Sequence, residues 1–287
     1  MAKVLIALMR VLAWLPLPLI RGLGAVLGRV LYALAKERRH IALTNLRLCF
    51  PQWSEAKLEQ VSRQHFVCVM QSLLDRAWLW HAPVQVLKKR LQVSGDQSFL
   101  QQEGGVVVFA PHFVGLDAGG VALTLVQDLP MSSIYVPQRG QALDDWVRHG
   151  RNRNGRNRLY ERHAGVKPLV AGLRQGEKLY LLPDMDFGAA ESVFVPFFGV
   201  QAATLPSLSR FARLGRAQVL TVVSRMTPQG YRIEVGQPWT DFPSEDVMVD
   251  TERMNQALEA QVQTMPEQYY WVHKRFKTRP PGSAPVY

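Results

Sequence analysis

At 287 residues, with 47% hydrophobic and 20% charged side chains, the chain is long enough to bury a substantial core as one large domain or two small ones. Its only two cysteines, Cys49 and Cys68, exclude a disulfide framework; without CxxC or metal-ligand spacing they read as buried free thiols in a reducing compartment. Lysine and arginine number 34 against 23 acids, and the net charge of +11 calls for an acidic partner: nucleic acid, an anionic membrane surface, or an acidic protein or ligand.

Residues 4–35 are almost wholly apolar but are broken by Arg10, Arg21 and Arg29. A clean spanning helix needs about 20 apolar residues in a row, and the longest uncharged run here, Val11 to Ile20, contains Pro16 and Pro18. A secretory signal fits poorly, because the apolar stretch outruns an h-region and no Ala-x-Ala site follows. Residues 1–35 therefore read as a retained membrane anchor, either a tilted or kinked span or an interfacial hairpin, with its arginines snorkelling to lipid phosphates. The competing reading is a buried helical pair of the core. The cluster Lys36, Arg38 and Arg39 favours a cytoplasmic position for the rest of the chain.

From Ser54 to Trp80, apolar residues recur at three- and four-residue steps, an amphipathic helix with Ser54 as N-cap. Gly104-Gly105 then precedes Val106–Ala110, a β-branched run typical of a buried central strand; Pro111 stops it, and Gly115–Val126 comes next as a helix. Further strands are expected over Ser133–Val136, Lys178–Leu182, Ala217–Val223 and Tyr231–Val235, and helices over Pro168–Arg174, Pro206–Leu214 and Asp250–Met265. Strands alternate with helices, so the expected class is α/β, a mixed central sheet covered by helices, in one globular domain over residues 36–287. No GxSxG elbow, phosphate loop or HExxH pair is present, and Gly22, Gly24 and Gly28 miss the dinucleotide-binding spacing.

The candidate centre is Ala110-Pro-His112-Phe-Val-Gly-Leu-Asp117. His112 comes directly after a buried strand, and open α/β sheets put their sites at strand carboxyl ends. On a continuous helix the two side chains would stand about 140° apart, so a turn through Gly115 is needed to bring them together. If they meet, the carboxylate fixes the tautomer and stabilises the imidazolium, and the other ring nitrogen can take a proton; taken alone, the pair reads by default as structural capping.

Three more blocks carry chemistry-bearing residues. Arg148-His-Gly-Arg151-Asn-Arg153-Asn-Gly-Arg156-Asn-Arg158, closed by Arg162-His163, is a solvated loop or a phosphate- or acid-binding one; with no aromatic among the arginines, stacking on nucleic acid is poorly served. Pro183-Asp184-Met-Asp186 offers two carboxylates for a metal or for the nearby arginines, and Phe194, Phe197 and Phe198 around Pro196 form an apolar wall that is either core or a slot for an alkyl chain. The closing segment from Pro266 to Pro280 interleaves aromatic and cationic residues, a pattern for a membrane interface or a phosphate-bearing ligand, or an ordinary basic tail.

Together, and in this order, these blocks resemble the late acyltransferases of bacterial lipid A biosynthesis, the lauroyl/myristoyl transferase family. The resemblance covers nearly the whole chain: Arg38-Arg39-His-Ile-Ala-Leu-Thr-Asn45, Cys49-Phe-Pro51, the His-x4-acid motif, Gly150-Arg151, Pro183-Asp-x-Asp186, Phe194-Val-Pro-Phe-Phe-Gly199, Ala203-Thr204 and the final Pro-Glu-Gln-Tyr…Trp-x-His-x-Arg-Phe-Lys-Thr-Arg-Pro. His-x4-acid is shared by many glycerolipid acyltransferases and specifies chemistry only; the last two blocks are much more specific.

The resemblance implies a glycerolipid acyltransferase-like αβ fold, His112 as general base and Asp117 as the acid that orients it. Many family members carry Glu at that second place. Arg151 falls on the family's functional arginine, with Arg153 as fallback, and Asp184, Asp186, Phe197, Thr204 and Arg275 are carried as expected substrate contacts. It further implies acyl carrier protein as donor, a lipid A precursor as acceptor, a catalytic domain on the cytoplasmic side of the bacterial inner membrane, no metal, no organic cofactor and no nucleic acid. A lysophospholipid, ornithine-type lipid or other glycolipid acceptor stays open, as does, more distantly, a non-catalytic basic protein that binds membrane or nucleic acid.

Overall fold

A computed structural model describes residues 2–287. Proline decides its first feature. The apolar N-terminus is two helices, α1 (Ala2–Leu12) and α2 (Leu17–Leu34), with Pro16 as N-cap of the second. A third helix, α3 (Lys36–Cys49), leads to the long α4 (Glu55–His81), whose Ser54 N-cap accepts the amide of Lys57 as its sequence predicts.

The hairpin of α1 and α2 lies along α4 with one face inward: Met9, Leu12, Leu17 and Ile20 are in the core. Gly28 makes the close approach possible, since a Cβ there would sit 2.5 Å from the Cα of Val67, and Gly24 does the same over Gln71 at 2.8 Å. Arg21 departs from the snorkelling expectation. It turns inward, pairs with the fully buried Asp75 at 2.8 Å and donates to the carbonyls of Thr227 and Gly230. An acid sealed in the core needs a cation beside it, and Asp75 also accepts from Trp78 and Tyr231. Arg10 and Arg29 stay exposed.

The α/β body comes next: α5 (Val84–Arg90), β1 (Leu91–Gly95), α6 (Ser98–Gln101), β2 (Val106–Phe109), α7 (Leu116–Val121) with a π turn over Ala122–Val126, β3 (Met131–Tyr135), α8 (Gln141–Arg151), β4 (Asn157–Glu161), α9 (Lys167–Arg174) and β5 (Lys178–Leu181). A hairpin of β6 (Val193–Phe197) and β7 (Val200–Thr204) stands apart from the main sheet. The chain ends through α10 (Ser207–Gly215), β8 (Gln218–Thr227), β9 (Gly230–Pro238), α11 (Val247–Thr264) and an extended C-terminal segment.

The seven-stranded sheet runs β1-β9-β8-β2-β5-β3-β4, parallel at every step except between β8 and β9. It is thus the expected mixed sheet with helices on both faces. Along β2, Val106 and Val108 join the core on the α4 and α7 side, while Val107 and Phe109 join the core under α10 and α11. The arginine-rich stretch is not one loop: it comprises the last turn of α8, a tight turn and the edge strand β4.

Candidate active site

The parallel pairing of β2 with β5 positions the chemistry. Phe109 is in register with Leu181, and each strand is followed, after one residue, by a proline, Pro111 and Pro183. His112 and Asp184 therefore leave neighbouring strands three residues beyond a register pair, and they meet. The Asp184 carboxylate, fully buried, accepts from His112 Nδ1 at 2.8 Å and, through its other oxygen, from the His112 backbone amide at 3.0 Å. Burial pushes the Asp184 carboxyl up, but the adjacent His112 and these hydrogen bonds win and hold it below the usual carboxylate range. With a carboxylate accepting at Nδ1, the ring is the Nδ1–H tautomer, and Nε2 keeps its lone pair with no partner among the described residues.

The loop around the ring is clamped from the far end of the chain. Tyr270 donates its amide to the His112 carbonyl, Val114 donates to the Gln268 carbonyl, and the Phe113 ring packs edge-on against Tyr269. The tail is pinned in turn: Asn45 donates to the carbonyls of Trp271 and His273, and the Tyr287 hydroxyl bonds Asn45 and accepts from the Phe276 amide.

Asp117 does not touch the ring. It opens α7, and its two oxygens are taken by Arg151 Nε at 3.0 Å and Arg76 Nε at 2.8 Å. Burial would raise this carboxyl, yet Arg151 and Arg76 hold it below the ordinary value. The expected His112–Asp117 pair is thus replaced by two neighbouring devices: an imidazole on Asp184, and an arginine pair bridged by Asp117. Their physical separation follows from helix geometry, because α7 starts at Leu116 and carries residue 117 away from the loop. Gly150 sets the second arginine. A Cβ there would lie 2.2 Å from the Trp80 ring, so glycine lets α8 press onto α4 and brings Arg151 to within reach of Arg76 on the neighbouring helix.

Both devices open into one chamber of about 1300 Å³. His112, Asp117, Arg76 and Arg151 form its polar end, and the rest is largely apolar, with Val69, Met70 and Leu73 of α4 and Leu31 of α2 on one wall and Leu169, Phe211 and Leu214 on another. The two arginines against one carboxylate leave a net positive, partly exposed corner, each guanidinium with N–H groups that have no hydrogen-bond partner among the described residues, which suits an oxyanion such as phosphate. Arg76 escaped the sequence reading; its signal was a charged pair, Asp75-Arg76, inside an otherwise apolar helical segment.

Several expected substrate contacts lie elsewhere. Arg275 is buried under the β6–β7 hairpin, donating to the Ala203 carbonyl and Thr204 hydroxyl, with its guanidinium 5.2 Å from the Phe197 ring. Phe197 and Thr204 are core residues of that hairpin. Arg153 caps the end of α4 through the carbonyls of Leu79 and Ala82. Asp186 is buried and ties down the tail by accepting from Thr278, while its own amide donates to His273 Nε2. Burial, with His112 and Arg275 nearby, lowers the His273 pKa to about 4 and so keeps that ring a neutral acceptor. None of these side chains, nor that of Asp184, lines the chamber. All five belong to the framework: the four polar ones face inward, where unpaired backbone carbonyls and amides need partners, and Phe197 packs in the core.

Known proteins match this chain along nearly its whole length. The family model described as bacterial lipid A biosynthesis acyltransferase matches residues 2–278. The chain is 34% identical over 274 residues to a lipid A biosynthesis acyltransferase of Haemophilus influenzae, covering 94% of this chain and 86% of that one. It is 33% identical to the lipid A biosynthesis palmitoleoyltransferase of Escherichia coli, covering 95% and 90%, and 31% identical to the lipid A biosynthesis lauroyltransferase of the same organism, covering 93% and 88%. A solved structure, that of the 1-acyl-sn-glycerophosphate (LPA) acyltransferase PlsC from Thermotoga maritima, aligns with a TM-score of 0.40 at 14% identity, covering 86% of this chain and 97% of that one.

Proposed function

The chain belongs to the bacterial lipid A biosynthesis acyltransferase family and is an acyltransferase, and from that premise we propose that it transfers a fatty acyl group from the thioester of acyl carrier protein to a hydroxyl of a phosphorylated lipid A precursor, with His112 as general base. The observation that carries the base assignment is the 2.8 Å contact of Asp184 with His112 Nδ1, which leaves Nε2 basic in a ring that lines the chamber.

In this reading, Nε2 removes the proton of the acceptor hydroxyl as its oxygen bonds to the thioester carbonyl carbon. The tetrahedral intermediate collapses by breaking the carbon–sulfur bond, and the leaving thiolate takes the proton back from the imidazolium. Asp184 stabilises the imidazolium between the two transfers. Such a base contributes about 10²–10⁴-fold. Arg76 and Arg151 bind a phosphate of the acceptor, and Asp117 keeps two like charges close enough to grip it together. The chamber exceeds the roughly 300–1,000 Å³ of a typical small-molecule site, as a site holding an acyl chain and part of a lipid must.

The N-terminal hairpin supplies the route for the acceptor. Its outer face exposes Leu8, Val11, Leu19, Leu23, Val30 and Leu34, with Trp14 at the turn 83% exposed, and Leu31 of the same helix lines the chamber. This apolar face, flanked by the exposed Arg10 and Arg29, fits the inner membrane on its cytoplasmic side.

The test gives the purified protein acyl carrier protein loaded with lauroyl or myristoyl groups, with a lipid A precursor or a lysophospholipid as acceptor, and reads acylated products by mass spectrometry. A lipid A precursor product that disappears in His112→Ala, with thermal unfolding unchanged, supports the proposal. Transfer only from coenzyme A thioesters refutes the donor, and transfer only to lysophospholipid refutes the acceptor.

A further inference from the structure

One wall of the chamber differs from the lipid-like hairpin side. Helices α9 and α10 contain Lys167, Arg174, Arg210 and Arg213 and no acid, and Arg216 comes directly after them. All five are exposed. Arg213 faces Glu245 at 3.2 Å; among the described residues the other four have no ion-pair partner, and Arg174 donates its Nε to the Leu214 carbonyl. The two helices lie side by side, with Leu173 against Gly215. Between them runs an open groove of about 510 Å³ with an apolar floor of Val166, Val170, Ala171 and Leu214 and with Lys167 and Arg174 on its rim. Val166 and Leu214 line the chamber too, where Arg162 and Arg210 stand. The groove therefore runs into the chamber mouth.

Buried charge pairs explain none of these cations, and the groove has the amphipathic character of a helix-binding site: an apolar strip with Lys167 and Arg174 on its α9 rim and Arg210 where it meets the chamber. A bilayer is a poorer match, because the extended apolar face needed to enter lipid lies on α1 and α2. We propose that the α9–α10 groove docks the acidic carrier protein that brings the acyl thioester, with one of its amphipathic helices laid on Val166, Val170 and Leu214 and its carboxylates against Lys167, Arg174 and Arg210. The thioester arm then enters the chamber at the Val166–Leu214 end, while the lipid acceptor comes from the hairpin side. This rests on the carrier-protein donor proposed above and adds the surface on which that donor sits.

The test compares wild type with Lys167→Glu/Arg174→Glu, neither of which lines the chamber, using lauroyl-loaded acyl carrier protein and lauroyl-pantetheine as alternative donors. The KM for the carrier-borne donor rises about tenfold or more with kcat held, and turnover of the pantetheine thioester stays as in wild type. Raising salt weakens the wild-type KM and moves the variant far less. Should the double reversal impair folding, Lys167→Gln/Arg174→Gln shifts KM in the same direction by a smaller factor. An unchanged KM for the carrier donor in a folded variant overturns the proposal. So does a variant that loses binding to anionic vesicles while its carrier KM is unchanged, which assigns the cations to lipid. If wild type itself takes acyl groups from pantetheine and coenzyme A thioesters but not from the carrier, the donor reading fails first and this surface with it.

Discussion

Replacing Asp184 with asparagine tests whether Asp184, and not Asp117, serves the histidine. The side chain keeps its shape, so the fully buried site stays filled. Its hydrogen bonding does not survive. One carboxylate oxygen accepts from the His112 amide at 3.0 Å and the other from Nδ1 at 2.8 Å; an asparagine whose oxygen serves the amide must present NH₂ to Nδ1. That favours the opposite tautomer, with the proton on Nε2, and the base is lost. The imidazolium also loses its counter-charge. At roughly 4 Å between charge centres and an effective dielectric of about 20, this is worth about 4 kcal/mol, trimmed because the ring is 23% exposed. About 3 kcal/mol is roughly a hundredfold in rate, and a wrong tautomer in a comparable dyad lowers kcat about 10⁴-fold. Asp184→Asn is therefore expected to reduce kcat by about 10²–10⁴-fold with KM unchanged, the signature of an interaction made in the transition state. Steady-state transfer from lauroyl-loaded carrier protein to the lipid A precursor measures it, with thermal unfolding as control. If Asp184→Asn turns over at nearly the wild-type rate while Asp117→Asn loses kcat without a change in KM, Asp117 orients the ring in turnover and the reasoning is wrong.

Three further outcomes rest on the same geometry. Arg76→Ala and Arg151→Ala are each expected to raise KM for a phosphorylated acceptor by about ten- to a hundredfold, the loss of about 1.5–3 kcal/mol from charged hydrogen bonds, and to have little effect on a dephosphorylated one; equal effects on both acceptors would refute phosphate binding. Asp117 and Asp184 are held below their ordinary values, so the unfolded chain binds more protons and their stabilisation, complete well above pH 4, is lost as pH falls through the folded values. Urea unfolding between pH 3 and 6 should show that loss, and a smaller one in Asp184→Asn. Leu23→Lys/Val30→Lys, both on the exposed face of α2, should release the protein from vesicles in a flotation assay while leaving its melting temperature within a few degrees; unchanged flotation would place the membrane contact elsewhere.

How much was legible in the sequence depends on which elements advertise themselves. Runs such as Val106–Phe109 and Lys178–Leu181 show as strands because both faces are buried and nearly every residue is apolar. The edge strand β4, Asn-Arg-Leu-Tyr-Glu, is half exposed and hides among arginines, and β1 at the other edge has the same half-polar character. His112 could be found from the strand and proline before it. Its carboxylate could not, because spacing along the chain says nothing about which strands are neighbours. Once β2 is known to lie beside β5 in register, residue 184 is the natural partner and residue 117 is not. Arg275 and Thr204 misled for a related reason: a motif marks that residues are needed, and a buried arginine anchoring two strands is needed as much as one that grips a ligand.

The tail that holds the His112 loop has a consequence for when the protein becomes competent. Gln268 and Tyr270 supply the hydrogen bonds that shape this loop, yet they are translated long after the histidine has left the ribosome. Up to that moment the strands of the sheet can assemble and Asp184 can hold the ring, but the loop that carries the imidazole lacks its two backbone bonds from the tail, so a nascent or proteolytically clipped chain would present its base less rigidly and turn over more slowly. A brief detachment of the same segment from the finished molecule would slow turnover with the sheet intact.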